Sequence, residues 1–239
     1  MSARRRTAEL ARPPGGKRRE HWRPPRGRHR LPPEVIARSQ RERLLSAAID
    51  VVAEKGYAAT TVADLTKEAG ISRTTFYEMF EDKETCFLAA YEAAVDVLTR
   101  RVATAFEAEQ GWPARVRAGL EALLSSLAAE PRLARLALVD VGSAGPAAQR
   151  RYRAALQRMT PFFDEGRDYA PNGRALPANT SRMAIGAVIG LIVDEIEEGR
   201  TERLSELLPE VLFATYLPYI GPEAAAREVV GEDAAPAKK

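Results

Sequence analysis

The sequence predicts an all-α protein, a set of three short N-terminal helices followed by a larger helical domain. Two observations carry that prediction. Apolar residues recur at spacings of three, four and seven along most of the chain, with glycine and proline punctuating the runs. No alternating run of β-branched residues is present to predict a strand, and no fixed-period repeat predicts a solenoid.

The chain has 239 residues, enough for one small module and one larger helical domain. Hydrophobic residues make up 45% and charged residues 29%, the balance of an ordinary globular protein. The beginning differs. Residues 1–32 hold eleven Arg and Lys against Glu9 and Glu20, a net of +9, whereas the whole chain is +3 and the remainder is therefore −6. Rich in Arg, Pro and Gly and poor in aliphatic side chains, this stretch cannot bury enough surface to offset the entropy of ordering. It is expected to be a disordered basic arm that seeks a polyanion; a solvated charge run or vector-derived sequence is the alternative.

From Pro33 the pattern changes. Val35, Ile36, Leu44, Leu45, Ala48, Ile49 and Val52 form an amphipathic helix that Gly56 stops. A second helix over 61–69 places Val62, Leu65 and Ala69 on one face, with Thr61 as its N-cap. A third begins at Ser72. Asp82 caps a long helix whose stripe is Phe87, Leu88, Tyr91, Val95, Leu98, Val102 and Phe106, ending before Gly111 and Pro113. Further helices are expected over roughly 113–129, 132–142, 146–165, 180–198 and 204–219. The domain boundaries that follow are 1–32 for the arm, 33–80 for the three-helix module, 81–220 for the larger domain and 221–239 for a flexible, Ala-rich, charged tail.

Residues 61–83 contain the parts of a helix-turn-helix spanning about 62–77. Gly70 stands where the second helix must end on a left-handed residue, which glycine adopts without a Cβ penalty. Ile71 buries itself in the turn and Ser72 caps the next helix. Phe76 and Phe80, four apart, pin the inner face of that helix, leaving Arg73, Thr74, Thr75, Tyr77 and Glu78 outward, where they can reach base edges or phosphates. Any three short helices with a glycine turn in a bundle would share part of this pattern.

Gly56-Tyr57, Thr60-Thr61-Val62, Ala69-Gly70-Ile71-Ser72, Thr75-Phe76-Tyr77, Phe80 and Asp82-Lys83-Glu84 together resemble the TetR-family DNA-binding domain (TetR/AcrR-like), over about residues 36–88. The resemblance implies a helix-turn-helix DNA-binding domain followed by a larger helical ligand-binding and dimerisation domain. It also implies a DNA interface of Thr61, Ser72, Arg73, Thr74, Thr75, Tyr77 and Lys83, with Thr61, Tyr77 and Lys83 on backbone phosphates and Arg73, Thr74 and Thr75 in the major groove. Glu78 and Met79 depart from the family pattern, which leaves base preference open: Glu78 either accepts from a cytosine amino group or points away from phosphate. Residues 33–80 carry a net charge of −1, so affinity is expected to lean on the arm.

Past the long helix the resemblance rests on helix number and spacing, and implies a regulatory domain that binds a small apolar or amphipathic effector. Tyr91, Phe106, Trp112, Tyr152, Met159, Phe163 and Met183 are the candidate lining; ordinary core packing is the alternative for each. In the resembled family the last two helices form a four-helix dimer interface, which nominates Gly186, Gly190, Val211 and Leu212. A reader of two half-sites also needs a two-fold dimer whose recognition helices sit about 34–36 Å apart. The expected function is a ligand-responsive homodimeric repressor on a palindromic double-stranded DNA operator.

The residue inventory argues against an enzyme. Both histidines, His21 and His29, lie in the arm, and Cys86 is the only thiol and sits in an apolar helical pattern, so no Ser-His-Asp or Cys-His set assembles. Zinc sites fail for the same reason, and phosphate loops and dinucleotide fingerprints are absent, so no cofactor is expected. The carboxylates Asp194, Glu195, Glu197 and Glu198 read as a solvated face, with a carboxylate enzyme as the remaining enzymatic possibility. An effector-independent DNA-packaging protein would account for the arm and the helix-turn-helix but not for the acidic second domain. One cysteine, no secretory signal and no apolar run of membrane length lead to the expectation of a cytoplasmic protein.

Overall fold

In a computed structural model, residues 32–171 and 173–230 are described. They form α1 (Pro33–Ala59), α2 (Val62–Ala69), α3 (Arg73–Met79), α4 (Lys83–Ala108), α5 (Trp112–Ala129), α6 (Pro131–Leu138), α7 (Pro146–Asp164), α8 (Thr180–Glu197) and α9 (Leu208–Val230), with no strand among the described residues. The expected all-α fold is the one observed. The expected basic arm lies outside the described residues, except for Pro32.

One apolar core runs from α1 to α9. Leu44, Ala47, Ala48 and Val52 of α1 belong to one buried cluster with Leu65, Phe76, Phe87 and Tyr91, so the three N-terminal helices share that core with the start of α4. α1 also packs on α6 and on the 3-10 turn Asp140–Ser143. Arg132 of α6 donates to Asp50 of α1 at 3.0 Å across this contact. Asp140 in the turn is 6% exposed, its Oδ2 has no hydrogen-bond partner and Arg135 stands 3.7 Å from Oδ1. Burial raises its pKa, opposed in part by that guanidinium.

Past α4 the core turns on Trp112, which is 1% exposed. Its indole N–H donates to the Phe162 carbonyl at 2.9 Å, and its ring meets Tyr216 and Tyr219 edge-on at 5.6 and 5.0 Å. Gly166 lies flat against the same ring, where an added Cβ would fall 2.5 Å from an indole carbon, so only glycine fits.

Three expectations are corrected. The helix expected over 132–142 ends at Leu138 and gives way to the 3-10 turn. The one expected over 204–219 begins as the 3-10 segment Thr201–Leu207 and becomes α-helical only at Leu208. The flexible tail expected from residue 221 does not start there: Gly221, at φ 77, kinks α9, and the chain continues helical to Val230. Proline in the first helical turn and the good helix formers Ala224, Ala225 and Ala226 support this last segment. Ala225 is buried, and Arg117 of α5 donates to the carbonyls of Glu228 and Val229. Residues 231–239 lie outside the described residues.

Candidate nucleic-acid interface and effector cavity

α2 and α3 owe their placement to local capping. The Thr61 hydroxyl accepts from the Asp64 N–H at 3.3 Å, while Asp64 Oδ2 accepts from the Thr61 N–H at 2.9 Å, a reciprocal box that satisfies two orphan donors. Lys55 stands 2.5 Å from the same carboxylate oxygen. The Lys55 ammonium, then Thr61, hold Asp64 well below the usual carboxylate range. Gly70 ends α2 at φ 63 and ψ 43, and the Ile71 N–H returns to the Thr66 carbonyl at 3.1 Å. Arg43 of α1 donates to the Ala69 carbonyl at 3.0 Å, tying that end of α2 to α1.

Ser72 caps α3 by accepting from the Thr75 N–H at 3.0 Å, and its hydroxyl lies 2.9 Å from that of Thr75. Phe76 is fully buried and Phe80 nearly so, their centroids 5.9 Å apart, with the Arg41 guanidinium 4.7 Å above the Phe80 ring. This anchoring leaves Ser72, Arg73, Thr74, Tyr77 and Glu78 exposed and Thr75 half-buried. Tyr77 is 52% exposed, a large ring held edge-on against Phe76 with its hydroxyl free to leave the surface. Met79 is half-buried against the core rather than on this face. Thr61 is exposed with its hydroxyl engaged by Asp64.

Lys83 departs from its expected place. Instead of extending outward, its ammonium donates to the Tyr57 carbonyl at 3.0 Å and sits 4.3 Å over the Tyr57 ring. Tyr57 follows the kink at Gly56, at φ 79 and ψ 159, and its carbonyl accepts from the Thr60 N–H at 3.2 Å as well as from the Lys83 ammonium. Sequence reading missed Tyr57 as the partner: the two residues are 26 apart, and no periodicity joins them.

A second site lies inside the C-terminal helices, a cavity of about 80 Å³. Tyr91, Val95, Leu98, Thr99 and Val102 of α4 form one wall and Tyr152, Ala155, Leu156 and Met159 of α7 the other; Leu123, Ala137, Leu138 and Ile189 close it from α5, α6 and α8. Burial raises the pKa of both Tyr91 and Tyr152, so their hydroxyls stay protonated as neutral polar groups in an apolar wall. Cys86 is buried nearby in the core, and burial pushes its thiol up to about 12, which makes it inert.

The structure brings Tyr91, Tyr152 and Met159 together at this cavity and places the other four lining candidates elsewhere. Phe106 packs edge-on against Phe162 at 4.8 Å, Trp112 forms the core described above, and Phe163 is buried with Ala184 and Ile185 in a small satellite cluster. Met183 is 59% exposed on the outside of α8. Residue type nominated these side chains, whereas the facing of the helices decides which of them meet. The apolar stripe of α4 was the usable signal for the aliphatic lining that was missed.

A similar correction holds for the outer face of α8 and α9. Gly186 and Gly190 are on the surface, with open space where a Cβ would stand. Val211 and Leu212 are fully buried within the protomer, so they are not surface residues. The large apolar side chains that α9 exposes are Phe213 and Leu217 in its body and Val230 at its end, and α8 exposes Met183 and Leu191. α9 is apolar around most of its circumference, so sequence alone did not select the outward side.

Two capped helices joined by a tight turn, the second with a polar outer face, define the helix-turn-helix class of DNA-binding protein. Residues 44–90 match the family described as bacterial regulatory proteins, tetR family. The transcriptional activator FasR of Mycolicibacterium smegmatis is 27% identical over 183 residues, 77% of each chain. The transcriptional regulator EthR of the same organism is 35% identical over 118 residues, 47% of this chain and 52% of EthR. Among solved structures, the fatty acid degradation regulator FadR from Bacillus halodurans superimposes with a TM-score of 0.66 at 17% identity, covering 75% of this chain and 94% of its own. FadR from Bacillus subtilis, solved with stearoyl-CoA, gives 0.63 at 20%, covering 75% and 98%. The family match at residues 44–90, the relatives FasR and EthR and the solved neighbours all indicate a TetR-family transcriptional regulator.

Proposed function

We propose that this regulator is a homodimeric repressor that binds a palindromic operator through α3 and is released by a small, mainly apolar effector in the α4–α7 cavity. The observation that carries the reading is the outer face of α3, where Arg73, Thr74 and Tyr77 stand exposed while Phe76 and Phe80 hold the helix from behind. Arg73, Thr74 and Thr75 read base edges; Thr61, Ser72 and Tyr77 bond phosphates. Lys83 acts by positioning, since its ammonium joins the start of α4 to Tyr57.

Residues 33–80 form the DNA-binding domain and the later helices the regulatory domain. α4 links them: Lys83 is eight residues from Tyr91, or about 12 Å along the helix. An effector that shifts α4 at Tyr91 therefore moves the tie to Tyr57 and, in a dimer, the spacing of the two α3 helices. Its coupling free energy equals its preference for the DNA-incompetent form. The outward Gly186, Gly190, Met183 and Leu191 of α8, with Phe213 and Leu217 of α9, supply the apolar face for a two-fold dimer. The basic arm at 1–32 adds phosphate contacts that residues 33–80, at net −1, lack.

Selection of bound sequences from a random DNA pool tests the reading. Recovery of an inverted repeat with half-sites about one helical turn apart, or a small multiple of it, supports it; sequence-independent recovery would sink it in favour of a packaging role. Activation rather than repression is a second reading, favoured by the FasR relative's name, and a reporter downstream of the recovered site separates the two.

A further inference from the structure

The cavity has the length of a chain-like molecule but not the width. Its wall on α4 runs from Tyr91 to Val102, about 16 Å along the helix, yet it offers about 80 Å³. An alkyl guest larger than that volume must part α4 from α7, which packs mainly on α8. α4 packs far more widely on α5 than on α7. α7 starts at Gly145 without a side-chain cap, and Pro161 removes a backbone donor near its far end.

Two ion pairs close the seam. Arg151 of α7 pairs with Glu92 of α4, and Arg158 pairs with Asp96 at 3.4 Å. All four side chains are about half exposed, so each pair is weak and exchangeable. Each of the four is the sequence neighbour of a lining residue, Tyr91, Val95, Tyr152 or Met159, and the pairs join the two helices that wall the cavity. The outer surface of α7 is basic, with Arg150, Arg151, Arg153 and Arg158 exposed and Asp164 the helix's only acid.

We propose that the α4–α7 seam is the mouth of the effector cavity and admits an anionic amphiphile. Its alkyl chain enters between Tyr91 and Tyr152, and its head takes Arg151 and Arg158 from Glu92 and Asp96. The inference rests on the reading of this cavity as the effector site and adds the ligand's head chemistry and its route in. A guanidinium fork donates to a carboxylate or phosphate head as well as it donates to a glutamate, so an anionic head replaces what opening the seam breaks. A neutral head replaces nothing, and a cationic head meets two arginines.

Calorimetric titration of the full chain, below micelle-forming concentrations, with dodecanoate, dodecyl phosphate, 1-dodecanol and dodecyltrimethylammonium tests this. Both anions are expected to bind at least tenfold more tightly than the alcohol, with affinity falling as salt rises; the ranking of the two anions tells a carboxylate from a phosphate head. R151Q/R158Q should lose that tenfold advantage with dodecanol binding unchanged. E92Q/D96N should bind the anions several-fold more tightly, because the competing carboxylates are gone. These four positions are on the surface, and circular dichroism checks that the variants fold. Equal binding of alcohol and anions, unaltered in both double variants, overturns the latch and leaves the effector cavity standing. No binding of any probe, or binding that the cavity-filling A155W leaves intact, overturns the cavity reading as well.

Discussion

Replacing Lys83 with methionine keeps the aliphatic stem and removes the ammonium, which separates two roles for this residue. The lost interactions are one charged hydrogen bond to the Tyr57 carbonyl at 3.0 Å and one cation–π contact at 4.3 Å. A hydrogen bond to a charged group contributes about 1.5–3 kcal/mol and an exposed cation–π contact about 0.5–1 kcal/mol. Lys83 is half-buried, so the hydrogen bond counts at the low end of its range, and relief of the ammonium's desolvation offsets part of the sum. The net loss is about 1.5 kcal/mol, or roughly 3–6 °C in Tm for a chain of this size. Urea unfolding followed by circular dichroism measures it, and operator binding across a salt series measures the other role. K83M should lower the urea midpoint and leave the slope of log K against log salt unchanged, because no phosphate contact is removed. An unchanged midpoint with a slope reduced by about one would mean that Lys83 neutralises a phosphate, and the positioning argument would be refuted.

Other outcomes follow from the same geometry. Arg73→Ala should relax preference at one position of each half-site, at a cost of about 1–3 kcal/mol, whereas Tyr77→Phe should weaken binding about equally on all sequences; binding-site selection with each variant distinguishes them. Asp140 has a raised pKa, so its ionisation costs stability above its folded pKa, and the cost vanishes below the ordinary carboxylate pKa, where both states are protonated. Asp140→Asn should therefore be more stable than the parent at pH 7, with the gain shrinking as pH falls toward 4; a less stable variant at pH 7 by urea midpoint would show that the Arg135 pairing outweighs desolvation. Gly190→Arg places a long cation on the proposed dimer face where the protomer offers open space. Sedimentation should give a monomer with unchanged helicity, and an intact dimer would move the interface elsewhere.

The sequence by itself determined what depends on neighbours along the chain. The caps at Thr61, Ser72 and Asp82, the turn at Gly70 and the buried pair Phe76 and Phe80 follow from contacts within four residues, and each was legible as a pattern. Such features obey local sterics and helix periodicity, which no distant residue alters. Only the tertiary structure decided which side of an apolar helix faces inward and which distant groups meet. Val211 and Leu212 turn into the protomer while Phe213 and Leu217 turn out, although all four are apolar. Tyr91 and Tyr152 share a cavity while Phe106 and Phe163 do not, and Lys83 folds onto Tyr57. Those outcomes depend on the relative rotation of packed helices, set by the whole core at once. The residues proposed to recognise DNA were therefore nominated from a short stretch of sequence, and the shape of the cavity and the ion pairs across its seam were not.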